Sequence, residues 1–168
     1  MFVPFTSLSP ESRIWIFQAD RRIAANELEI LESKLHDFTE GWTAHGEPLK
    51  TSFTVKFDQF IILAADENHH SPSGCSIDSS VRVLKEIEQL IGVQFFDRNQ
   101  VAFKIEEKII LAPIQHLKQK LNDGIWNEET LTFNNLVSVK SQFEQEWLVP
   151  AGKTWLKRYI PNELVKLK

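Results

Sequence analysis

Two hydrophobic periods alternate along this chain. From 26 to 42, "NELEILESKLHDFTEGW" spaces Leu28, Leu31, Leu35, Phe38 and Trp42 three or four residues apart, with Glu27, Glu29, Glu32, Lys34 and Asp37 between them. That spacing matches the turn of an α-helix and predicts an amphipathic helix, with Asn26 as its N-cap and Gly41 near its end. A second such pattern runs from 76 to 91, with Ile77, Val81, Leu84, Ile87 and Ile91 inward and Gly92 as the stop. The period of two appears in "TSFTVKF" (51–57), where Phe53, Val55 and Phe57 share one side of a half-buried strand. Asp58-Gln59 reads as a tight turn into "FIILAAD" (60–66), which is apolar on both faces and therefore central in its sheet. "RIWIFQA" (13–19) is a buried strand, and "VQFFD", "VAFKI" and "KIILAP" supply strand candidates over 93–113.

The order β-α-β-β-α-β, followed by a further strand, predicts an α+β fold with a ferredoxin-like antiparallel sheet and both helices on one face. Residues 1–112 would form that core of a single domain. Residues 113–168 would be a C-terminal α/β extension packed on it: a short helix in "PIQHLKQKLNDG", a strand in "ETLTFNN", and a helix in "SVKSQFEQEW" ended by Pro150. A ferredoxin-like sheet leaves one face bare. Ile14 and Ile16 point opposite to Trp15 and Phe17, so both faces of the first strand are apolar. Either the C-terminal segment or a second copy in a homodimer is expected to cover the second face.

Charge and composition narrow the functions. The 168 residues suffice for a core without disulfides, and twelve Phe and five Trp make it aromatic. A net charge of −4 excludes a general binder of nucleic acid or of an anionic membrane, since either needs a basic face. The distribution is uneven: 11 Lys and Arg against 17 Asp and Glu over 1–112, and 8 against 6 over 113–168. A single cysteine allows no internal disulfide and fits a reducing, cytoplasmic setting. "MFVPFTSLSPESR" lacks the pattern of a signal peptide, and "FIILAA" is far too short to span a bilayer.

The candidate chemistry gathers where the second helix begins. "AADENHH" leads into "SPSGCSIDSSV", and a helix starting at Cys75 or Ser76 leaves free backbone amides and a partial positive charge there. Ser73, Gly74, Cys75 and Ser76 could cradle a small anionic ligand, with Asp78 in the first turn and Trp42 and His45 lining the pocket. Arg13 or Arg22 could add charge. The plainer alternative is a capped helix behind a Ser/Pro/Gly turn. A third reading makes Cys75 a nucleophile, since a helix N-terminus lowers a thiol's pKa; His45 or His69 would be the base and Asp66 or Asp78 the orienting group. Asp66, Glu67, His69, His70 and Cys75 contain no metal-binding spacing, so neither metal nor cofactor is expected. "AGKTW" (151–155) lacks the glycine that a phosphate loop needs at 147, where Trp stands, so no ATPase follows from it. "IWIFQA" is faintly like the first-strand motif of RNA-recognition domains, but "FIILAAD" has none of the glycine or basic residues of their third strand.

Together "SRIWIFQADR", "WTAHG", "LKTSF", "SGCSIDSSV" and "FNNLV" resemble a small family of uncharacterised bacterial proteins of about this length that carry the label ABC transporter ATPase. The resemblance spans most of the chain and directs attention to "WTAHG" and "SGCSID". It implies no reaction, and nothing in the chain is similar to an "LSGGQ" signature. The sequence thus leaves three readings open: a small-molecule or anion-binding module, a cysteine-dependent enzyme, and a scaffold or protein-interaction domain without a ligand.

Overall fold

The computed structural model describes residues 1–66 and 74–162, with the side chain of Cys75 outside the description. The chain divides into two compact units. Met1–Asp97 together with Leu136–Glu144 form the first, and Arg98–Asn135 with Gln145–Lys168 form the second. The division falls at 97–98, earlier than the 112–113 boundary read from the sequence, because the strands after 98 find their partners further along the chain.

In the first unit, β1 (Arg13–Gln18), β4 (Lys50–Lys56) and β5 (Phe60–Asp66) form an antiparallel sheet in the order β1-β5-β4. All seven residues of β5 are buried, as its two-faced apolarity requires. Trp15 stands opposite Leu63, and Phe53 stands opposite the same residue from the other side. The helices α1 (Ala25–Gly41) and α2 (Gly74–Ile91) bury Leu31, Leu35, Leu84 and Ile87 in one core with Ile61, Leu63 and Ala65 of β5. Ile14, Phe60, Ile62 and Ala64, on the alternate positions, are buried too, and Ile16 beside Ile62 is half-buried.

This is a split β-α-β unit, with β5 inserted between β1 and β4. The strand that would complete a ferredoxin-like sheet is not beside β1. "VQFFD" is not a strand; its Val93 and Phe95 enter the core as an irregular segment. The edge of β1 instead receives one bridge, between Arg13 and Val139, with the Ile14 amide donating to the Ser138 carbonyl at 2.9 Å. The edge of β4 is met by the N-terminal segment, where Phe2 bridges Thr51.

In the second unit, β6 (Gln100–Ile105), β7 (Lys108–Pro113), β8 (Leu131–Phe133) and β9 (Leu148–Pro150) form an antiparallel sheet in the order β7-β6-β8-β9. The helix α3 (Leu117–Asn122) follows a 3-10 turn, and Gly124 ends it with φ +76°. Phe103 stacks on Trp126 at 5.2 Å, and the Trp126 indole N–H donates to the Leu117 carbonyl at 2.9 Å. Leu117, Ala151 and Leu156 complete this core. The short helix α4 (Lys140–Glu146) lies where the chain passes between the units.

Helix ends differ from expectation in instructive ways. The N-cap of α1 is Ala24 and not Asn26, because Glu27 reaches back to accept from the Ala24 amide at 2.9 Å. Arg21 binds the same carboxylate through both terminal nitrogens, at 2.8 and 2.9 Å, and donates to the Ile91 carbonyl at the end of α2. One guanidinium therefore ties the start of α1 to the end of α2, where carbonyls lack helical donors. The turn between β4 and β5 centres on Phe57-Asp58 and not Asp58-Gln59: both have φ +54°, and the Gln59 amide donates to the Lys56 carbonyl.

Two expectations follow. The Arg21 guanidinium and the Ala24 amide hold the Glu27 carboxyl at about 2, below its ordinary 4.5. A depressed carboxylate contributes stability that is complete above 4.5 and is lost as pH falls toward 2. Glu27→Gln should therefore unfold more easily than the parent at neutral pH in denaturant titrations, and the gap should close through that acid window. At Gly152 an added Cβ would meet the Glu128 Cβ at 2.9 Å and its carbonyl oxygen at 3.1 Å. Gly152→Ala should cost about 1–3 kcal/mol in the same measurement.

Candidate functional site

Of the residues expected to form a pocket at the start of α2, Trp42 and Ser76 form a joint. Trp42 caps α1 at its C-terminus and is only 2% exposed, against Trp15 and Phe38 at 5.6 and 4.9 Å. Its indole N–H donates to the Ser76 carbonyl at 2.9 Å. The Ser76 hydroxyl, 3% exposed, donates to the Thr43 carbonyl at 2.7 Å. Two hydrogen bonds thus run in opposite directions between the end of α1 and the first turn of α2. The Ser76 side chain is held by the fold, and Trp42 packs in the core.

His45 occupies a different kind of position. Thr43–Ala44 (β2) pairs with Glu47–Pro48 (β3), and His45 and Gly46 form the turn with φ +54° and +80°. Positive φ at both central residues is the signature of a type I′ hairpin turn. His45 is exposed at that tip. Asp66 ends β5 opposite Lys50 and is 8% exposed. Asp78 is exposed on α2, beside a shallow groove lined by Val81, Arg82, Lys85, Glu86 and Gln89. Gly74 is the exposed first residue of α2.

Neither arginine adds a free charge there. Arg13 stands opposite Ala65, with its guanidinium carbon 5.0 Å from the Trp15 ring centre. Arg22 pairs with Asp58 at 2.9 Å, before the start of β5, whereas Asp66 is at its end. A seven-residue strand separates those points by about 20 Å. Ser73, Glu67, His69, His70 and the Cys75 thiol lie outside the described residues. Among the described residues, no three His, Cys, Asp or Glu side chains converge as a metal site would require. No described helix is long and apolar enough to cross a membrane.

A second cluster, in the second unit, escaped the sequence reading. "AGKTWLKRY" forms two consecutive 3-10 turns, Ala151–Lys153 and Trp155–Tyr159. Thr154 joins them: its hydroxyl donates to the Ala151 carbonyl at 2.8 Å and accepts from the Leu156 amide at 3.2 Å. Ala151 and Leu156 point into the core, fully buried. The intervening geometry turns Trp155 outward, 46% exposed. Arg158 lies over its ring at 5.4 Å and Tyr159 meets its edge at 6.0 Å. Lys153, Lys157 and Arg158 are exposed, and Lys118 donates to the Tyr159 carbonyl at 2.9 Å. From Trp147 to Asn162 the chain has three basic residues and no Asp or Glu, which is the sequence signal that marks this surface.

No protein-family model, curated protein or solved structure matches this chain.

The joint at α2 carries a direct test. Trp42→Phe keeps a ring in the core but removes the donor from the buried Ser76 carbonyl. It should cost about 1–3 kcal/mol in denaturant unfolding. A variant as stable as the parent would mean that this bond does not hold the two helices together.

Proposed function

We propose that the protein is a non-catalytic interaction module whose contact surface is the Trp155 turn. The supporting observation is the combination at that turn: an exposed tryptophan, stacked by an arginine and edged by a tyrosine, on a backbone pinned by Thr154 and two buried anchors. Tryptophan, tyrosine and arginine dominate the binding energy of protein interfaces, and a side chain already held in place loses less entropy on contact. Other large apolar side chains are exposed, among them Phe57 at 42% and Leu136 at 91%. Leu136 is aliphatic, and the ring that meets Phe57 is the fully buried Phe60 at 6.4 Å, whereas Trp155 stands beside the exposed Arg158 and the half-buried Tyr159.

The joint at α2 argues in the same direction. A small anion at that corner would use the Ser76 hydroxyl, and a cysteine enzyme would need a base held against Cys75. The Ser76 hydroxyl is bound to Thr43, and His45 is the outward residue of a tight hairpin turn. Both are explained by folding without chemistry.

Site-specific photocrosslinking tests this reading. A benzoylphenylalanine introduced at position 155 in cells should give a discrete cross-linked adduct, and the same group at Phe57 should not. Equal adducts from both positions, or none from 155, would remove the Trp155 turn as an interaction surface.

A further inference from the structure

We infer that the Trp155 turn receives an acidic segment of a partner protein, a step that rests on the interaction surface proposed above. Charge bookkeeping within the molecule carries it. The first unit has 9 Lys and Arg against 16 Asp and Glu, and the second has 10 against 7. The net charge of −4 therefore conceals a second unit of the opposite sign. In the first unit two exposed arginines are paired with carboxylates: Arg21 with Glu27 at 2.8 Å, and Arg22 with Asp58 at 2.9 Å although its side chain is 78% exposed. Among the described residues, no carboxylate stands within ion-pair distance of Lys153, Lys157 or Arg158. Arg158 lies over the Trp155 ring, Lys118 binds the Tyr159 carbonyl, and Lys153 and Lys157 are exposed on the same two turns, so the described surface here is positive beside an apolar centre.

Such a surface fits carboxylates spaced around an apolar side chain. The carboxylates meet the rim cations, and the apolar residue packs on the indole. A single-stranded nucleic acid is the competing polyanion, but one face of the Trp155 ring is covered by Arg158 and its edge by Tyr159. Stacking of successive bases also needs more than one open ring and a groove that tracks the backbone. The acidic first unit of a second copy is a further source of carboxylates, and it would show as self-association.

The probe is a fluorescein-labelled peptide of repeating Glu-Asp-Leu, followed by fluorescence anisotropy on the full chain. Binding is expected at low salt, weakening as salt rises past the point where the screening length falls below about 10 Å. Lys153→Glu with Lys157→Glu and Arg158→Glu should weaken it at least about tenfold, and Trp155→Ala about tenfold. Lys108→Glu, an exposed charge of the same unit on β7, should leave it unchanged. Circular dichroism melts confirm that each variant is folded. No binding, equal weakening by Lys108→Glu, or tighter binding of a short oligothymidylate would each overturn the proposal, the last in favour of nucleic acid. Concentration-dependent mass in the absence of peptide, lost in the triple variant, would replace the partner by a second copy. Cross-links from position 155 without peptide binding would keep the surface and discard its acidic partner; failure of both would discard the surface itself.

Discussion

The strand from Phe60 to Asp66 loses water along its whole length, and the first unit is arranged around that constraint. A strand apolar on both faces cannot lie at an edge, so β1 and β4 flank it and satisfy its backbone groups. Its one set of side chains then requires helices, which α1 and α2 provide, and those helices require ends that are tied. Arg21 ties the start of α1 to the end of α2. Trp42 and Ser76 tie the end of α1 to the start of α2. The two joints sit at opposite ends of one helix pair and use polar groups that would otherwise be unsatisfied. Two residues of the corner that looks most like a binding site by composition, Trp42 and Ser76, thus belong to the second of these joints.

In the second unit the same economy of backbone bonding has a different result. Ala151 and Leu156 anchor the Trp155 turn in the core around Trp126, and Thr154 closes its hydrogen bonds. With both anchors inward, Trp155 has nowhere to go but outward, and Arg158, three residues on, falls over its ring. The exposed ring is therefore a consequence of how the turn is held. Its positive surroundings are not a structural necessity, since Arg21 and Arg22 of the first unit are exposed too and each pairs with a carboxylate.

Much of the fold was legible because period and punctuation agree. The helix of Leu28, Leu31 and Leu35 and the strand of Phe53 and Val55 are where their spacing puts them, and Gly92 and Gly124 end helices with positive φ. The fate of "VQFFD" was not legible: its apolar residues are equally suited to a strand or to an irregular plug, and local pattern cannot say which. Sheet membership of β6 depends on β8 and β9, far along the chain, and so lies beyond any local signal. The N-cap was misread because Glu27 supplies the cap from inside the helix. At the candidate site, the types of Ser76, Trp42 and His45 gave no hint that two are consumed by internal bonds and one by a hairpin turn, although "AHGE" carries the X-Gly pair of such a turn.

Quenching of tryptophan fluorescence by iodide and by caesium tests the central claim most directly. Trp42, Trp126 and Trp147 are buried, Trp15 is half-buried, and Trp155 is exposed beside Arg158, with no described carboxylate within ion-pair distance of Lys153, Lys157 or Arg158. Because Arg13 lies 5.0 Å from the half-buried Trp15 ring, the measurement is made in a Trp15→Phe background: iodide should quench a component of the emission that caesium leaves nearly untouched, and a further Trp155→Phe should abolish that component. Equal quenching by the two ions, or iodide quenching that survives Trp155→Phe, would contradict an open, positively charged indole as the working surface of this protein.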